Sequence, residues 1–203
     1  FYLWPKTFFK RAIMTNVAFR KTKPQRTCQK TYTRYQPFKP YLKEDFNSRC
    51  GYTDCADKWF GGITTFHIDH FAPLKGFPAL KTTYGNLVYS CSYVNILKSD
   101  DDPANYLDPC NDEYNDHFYR DKLGAIYPNS NSPKAQYMHR RLKLGLARYQ
   151  VIWLLDNLYD CMKGLQSLVD TLPNGSDEDI AFRKLHFELT KEFTKYFDYL
   201  NKS

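Results

Sequence analysis

Residues 63–98, ITTFHIDHFAPLKGFPALKTTYGNLVYSCSYVNILK, decide the fold. Ile63 to Phe71 follows Gly61-Gly62 and is rich in β-branched and aromatic residues, so it reads as a strand entered through a turn. Residues 72–85 carry Pro73, Gly76, Pro78 and Gly85, the punctuation of a loop, and contribute Lys75 and Lys81. Asn86 to Ser90 reads as a second short strand. Cys91 to Ser99 continues as a helix, with Val94, Leu97 and Lys98 at spacings of three and four. Strand, loop, strand and helix make a small ββα unit in an α+β chain.

Outward from that unit, residues 43–59 suit a helix end followed by a knuckle around Cys50 and Cys55. Residues 1–44 interleave basic residues with aromatics (Tyr32, Tyr35, Phe38, Tyr41) and prolines, with little helical or strand period after about residue 20. Residues 100–133 are polar and turn-rich, a loop laid over a surface, in which Asp100-Asp101-Asp102 is expected to cap a turn. From Pro133 to Leu172 apolar residues recur near a 3.6 period. Pro173-Asn174-Gly175 stops that pattern, and Ser176 with Asp177 and Glu178 starts a second helix running to about Leu200. The expected organisation is a basic extension over 1–44, the ββα core with its following loop over 45–132, and a helical hairpin over 133–203. A ββα unit alone is too small to bury a sizeable core, so the hairpin is expected to cover it or to dock a partner.

The net charge of +7 over 203 residues is unevenly placed. Residues 1–50 hold 12 of the 29 Lys and Arg and two of the 22 acids, which leaves 17 basic against 20 acidic residues in the remainder. A basic arm on a near-neutral body is the footprint expected for a phosphate backbone, since each neutralised phosphate releases counterions; a solvated tail or an acidic protein partner is the alternative. No apolar run reaches the ~18 residues that span a bilayer. The start, FYLWPKTFFKR, sets its basic residues after its apolar ones, the reverse of a signal peptide, so a cytoplasmic protein without membrane contact is expected.

Phosphodiester hydrolysis needs a deprotonated water, a charge clamp on the phosphoryl oxygens and help for the leaving oxygen. A strand ending in Asp69-His70 turns consecutive side chains to opposite faces, so Asp69 can meet a cation while His70 faces a phosphate. The following helix brings the Asn95 carboxamide to the same cation. Oxygen donors of this kind suit Mg²⁺ better than zinc.

These residues resemble the HNH endonuclease family, whose ββα-metal motif runs Asp-His, Asn-Leu, then Cys-x-x-Cys-Asn-x-x-Lys. The matches are Ile68-Asp69-His70-Phe71-x-Pro73, Asn86-Leu87 and Cys91-x-x-Val94-Asn95-x-x-Lys98. The resemblance implies His70 as general base, Asp69 and Asn95 as ligands of Mg²⁺ or Mn²⁺, and Asn86 as the residue that pins the loop and orients the His. Lys98, Lys75 and Lys81 become candidate phosphate contacts. His67 shares a strand face with Asp69 and either approaches the metal or is simply a packed or exposed strand residue. Many relatives hold a structural zinc on two Cys pairs. Here Cys50 and Cys55 form a stretched pair and Val94 replaces a Cys, so Cys50, Cys55 and Cys91 fall one short of a closed four-ligand site unless Cys110 or a His completes it.

More loosely, the stretch after the motif and the helical tail look similar to HNH subunits of bacterial anti-phage defence systems such as Septu. The resemblance implies an endonuclease acting on DNA, the effector of a defence complex, with a partner such as an ATPase docking on the C-terminal helices or the N-terminal arm. Two rivals stand beside it: a non-catalytic nucleic-acid-binding or assembly subunit on the same scaffold, and an RNase using the same site.

Overall fold

The structure, a computed structural model, describes residues 16–202; the leader reading of the first residues, and the part of the basic extension before Asn16, lie outside them. The elements in order are β1 (Val17–Ala18), α1 (Lys39–Asp45), β2 (Phe66–His70), β3 (Leu87–Cys91), α2 (Ser92–Lys98), α3 (Tyr114–His117), β4 (Phe118–Arg120), β5 (Ile126–Pro128), α4 (Pro133–Arg141), α5 (Ala147–Val169) and α6 (Asp177–Lys202). The chain divides into two compact units, one up to Leu146 and one from Ala147. The chain is therefore a mixed α and β protein with small sheets and a C-terminal helical region. Among the described residues no helix is long and apolar enough to cross a membrane.

In the first unit β2 and β3 pair antiparallel, with His67 opposite Ser90, Asp69 opposite Val88 and His70 opposite Leu87. α2 follows β3 without a loop and packs on both strands, while α1 packs on β3. Being covered on both faces, β3 buries all five of its residues, whereas β2 keeps one free edge. Phe38, Leu42 and Phe46 recur every fourth residue, so one helical face carries all three into the core. Each contributes roughly 1.5–3 kcal/mol by leaving water. The Cys50–Cys55 knuckle is closed by Cys50 N–H on Cys55 O at 3.0 Å and tied to the sheet by Gly51 N–H on Tyr89 O at 2.8 Å. Gly51 has no room for a side chain, since a Cβ would stand 2.7 Å from Val88 and 2.8 Å from Phe46.

A second sheet, ordered β1-β4-β5, lies in stretches that look like arm and loop in the sequence. Arg120, fully buried, holds it together by donating to the carbonyls of Phe19, Thr53 and Gly124. The described part of the extension, residues 16–44, is thus no free arm. Arg20 donates to Gly51 O and Pro109 O and lies over the Tyr114 ring, and Arg26 grips the Asp108 carboxylate and Leu87 O.

The helical pattern expected over 133–172 is broken. α4 ends at Arg141, Leu142 and Leu144 turn inward, and Lys143 between them takes a left-handed backbone with φ 53°. The boundary between units accordingly falls after Leu146 rather than at 133, and α4 packs on β5 within the first unit. In the second unit α5 and α6 form the expected helical pair. Its turn is set by reciprocal capping: Ser176 Oγ accepts from Asp179 N–H, and the Asp179 carboxylate accepts from Gly175 N–H.

Candidate active site

His70 ends β2, on the strand face opposite His67 and Asp69. Its Nε2 lies 3.0 Å from Lys81 O, and its ring meets that of Tyr35 edge to face, with centroids 4.8 Å apart. A carbonyl can only accept, so Nε2 carries the proton and Nδ1 of the neutral ring holds a lone pair. Lys81 belongs to the 72–85 loop, whose ends are clamped by Asn86. The Asn86 side chain accepts from Ala72 N–H at 2.8 Å and donates to Ala72 O at 3.0 Å, while its backbone carbonyl takes Phe71 N–H. Both amide functions of one buried side chain are thereby spent on the residue two places after His70. The pinning role expected of Asn86 has this geometric form.

On the other face, α2 lies over β2 so that Asn95 stands against His67 and Lys98, one helical turn on, against Asp69. Asn95 Nδ2 is 3.2 Å from His67 Nδ1. Lys98 Nζ is 3.2 Å from Asp69 Oδ2 and 2.9 Å from His70 O. Tyr52 completes that pair by donating its hydroxyl to Asp69 Oδ2 at 2.6 Å. Burial pushes the Asp69 carboxyl above the ordinary carboxylate range, with Lys98 and Tyr52 pulling the other way.

Two expectations are corrected here. Lys98 is not a phosphate contact: its side chain is fully buried and its ammonium is shared between Asp69 and the His70 carbonyl. Asp69 and Asn95 do not face one another as a bare pair; each has its own partner, and the polar pair that solvent reaches is His67 with Asn95. Strand alternation alone places His67 on the face of Asp69, and there it meets Asn95. Lys75 and Lys81 are exposed on the loop, without an ion pair among the described contacts.

The type of donor, though not a shared position, suits a hard divalent cation. Asp69 Oδ1 has only Lys98 Nζ near it, at 3.3 Å, and the Asn95 carboxamide oxygen has no partner among the described contacts. Both are oxygens of the type Mg²⁺ and Mn²⁺ take. An ion held by Asp69 would have to share its carboxylate with Lys98.

Cys50, Cys55 and Cys91 are all buried and unpaired as disulfides. Burial opposes ionisation of Cys50, but hydrogen bonds from Cys91 and Thr53 outweigh it and bring the thiol down to about 6; burial pushes Cys55 up to about 12. Among the described residues no group of three or more His, Cys, Asp and Glu is arranged to hold a metal ion.

Two hollows lie beside Tyr35, and one of them is lined by residues of β2. The larger, about 410 Å³, is lined by Arg34, Tyr35, Leu74 and Lys81, and the other, about 320 Å³, by Tyr35, Lys39, His67, Ile68 and Asn95. Because the second takes residues from both faces of β2, it wraps the strand's open edge. Compared with known proteins, the chain matches no family model, no curated protein and no solved structure, so its function is argued from this geometry.

Proposed function

We propose that this chain is an HNH-type endonuclease that hydrolyses phosphodiester bonds in DNA with a divalent cation. The observation that carries the reading is the mounting of His70. A carbonyl partner fixes its tautomer, and that carbonyl lies on a loop clamped by Asn86. Such an arrangement orients a general base: His70 takes a proton from water at Nδ1 while Nε2–H stays on Lys81 O. Asp69 and Asn95 would hold Mg²⁺ or Mn²⁺, which supplies positive charge to the phosphoryl oxygens. Lys81 and Lys75, on the loop beside His70, are placed to attract the flanking phosphates.

One observation favours a rival. The Lys98 ammonium already neutralises Asp69, as it would in a subunit that keeps this scaffold to bind nucleic acid without cutting it. A single assay separates the two. The purified chain is incubated with plasmid DNA, single-stranded DNA and RNA in Mg²⁺, Mn²⁺ or EDTA. Metal-dependent cleavage of DNA is expected, and His70→Ala should lower it by about 10²–10⁴-fold while the fold and DNA binding persist. Full activity in that variant would sink the mechanism; binding without cleavage in any metal selects the rival, and cleavage of RNA alone selects an RNase.

A further inference from the structure

Most cations of the described extension are spent inside the protein. Arg20 and Arg26 are tied to backbone carbonyls and Asp108, Lys23 to Asn111 O, Lys30 to Tyr41 and Lys43 to Asp57. Among the described contacts Lys21, Arg34 and Lys39 have no such partner. Two of those three line the hollows beside Tyr35, Arg34 with Lys81 in one and Lys39 with β2 in the other. Burial lowers the Lys39 pKa, a cost that an anion would relieve.

The two hollows share Tyr35 and Gln36 and are therefore neighbours. Tyr35 lines both and its ring also meets that of His70, so the hollows adjoin the residue packed on the imidazole. Each also carries one accessible aliphatic side chain, Leu74 in the first and Ile68 in the second, beside polar Thr33 in the first and His67 and Asn95 in the second. Cations spaced over neighbouring hollows, with an aromatic ring shared between them, suit a flexible polyanion whose flat bases turn inward. A duplex keeps its bases stacked on one another and presents only phosphates and groove edges.

We infer that the ligand of these hollows is single-stranded nucleic acid, its phosphates along Arg34, Lys39 and Lys81 and a base against Tyr35. The inference takes its choice of polyanion from the nuclease reading, yet binding here does not require cleavage. The test is therefore run in EDTA. Fluorescence anisotropy of a labelled mixed-sequence DNA strand is compared with the same strand annealed to its complement, as a function of salt.

The single strand should bind at least about tenfold tighter than the duplex. Tyr35→Ala should weaken it by about tenfold and leave the duplex unchanged, while Tyr35→Phe, which keeps the ring, should bind as the native chain does. Arg34→Ala and Lys39→Ala should each reduce the salt slope by about 0.7, the value for one single-strand phosphate contact. Equal or tighter duplex binding, no binding of either form, or a Tyr35→Ala variant that binds single strands normally would overturn the inference. Cleavage that depends on His70 would leave the nuclease reading standing in each case. Conversely, single-strand preference lost in Tyr35→Ala would uphold the inference even if no DNA were cut.

Discussion

Lys98 Nζ lies 3.2 Å from Asp69 Oδ2, with the lysine side chain wholly inside the protein and the aspartate only 5 % exposed. The carboxylate proposed to hold a metal thus already meets a cation of the chain, and the lysine expected at a phosphate is spent on it. They join the last turn of α2 to the end of β2, so the pair locks the helix that bears Asn95 onto the strand that bears His67 and His70.

Breaking one side of this pair should be costly. Lys98→Met removes the cation and leaves a buried carboxylate with Tyr52 as its only side-chain donor, a change worth about 3–5 kcal/mol of stability. Removing both charges in Lys98→Met with Asp69→Leu should recover much of that loss, because no uncompensated ion remains. Urea unfolding followed by circular dichroism checks both values.

How much of this was legible in the sequence follows from the range of the interactions involved. β2, β3 and α2 are local: alternation, a Pro- and Gly-marked loop and a short helical period place each of them within a few residues of where the structure has it. The Asn86 clamp was suggested only by the resemblance of the motif, although the clamped backbone and the side chain belong to one loop. The partners of Arg20, Arg26 and Arg120 were not legible. Their acceptors lie 31 to 101 residues away in sequence, apart from Gly124, and a guanidinium on distant carbonyls leaves no periodic trace. A count of charges therefore overstated how much of the extension is available to a polyanion. The burial of Lys98 was missed for the same kind of reason, since helical spacing gives the face of a lysine but not what lies opposite.

Asn86 should matter for loop order and for His70 together. Asn86→Ala strips both hydrogen bonds from Ala72 and leaves its N–H buried without a partner, at a cost of about 1–3 kcal/mol. Amide hydrogen exchange should quicken across residues 72–85. Cleavage should fall with it, because Lys81 O, which sets the His70 tautomer, moves with that loop. Asn86→Asp keeps an acceptor for Ala72 N–H and loses the donor to Ala72 O, so it should lie between the two. Unchanged exchange in Asn86→Ala would mean that the prolines and turns of the loop hold it unaided.

Acid should release the far end of α2. Asp101 N–H bonds to Lys98 O at 3.1 Å, and the Asp101 carboxylate accepts from Arg141 Nε at 2.6 Å, Tyr106 Oη at 2.8 Å and Tyr137 Oη at 3.2 Å. The hydrogen bond from Arg141 is the main reason its carboxyl is held below the ordinary value of 3.8, aided by the two phenols and opposed by partial burial. A carboxyl depressed in the folded state binds its proton less tightly there than in the unfolded chain. The stability it contributes is thus fully present above the unfolded value and is lost as pH falls below about 4 through the folded value. Asp101→Asn should lower the thermal midpoint at neutral pH, and the gap to the native chain should stay constant down to about pH 5 and then close in acid. Arg141 is more than one-third exposed, so added salt should narrow the same gap at neutral pH. A gap that persisted unchanged into acid would show that the Asp101 contribution comes from packing against Tyr106 and Tyr137, and that its charge plays no part in joining α2 to α4.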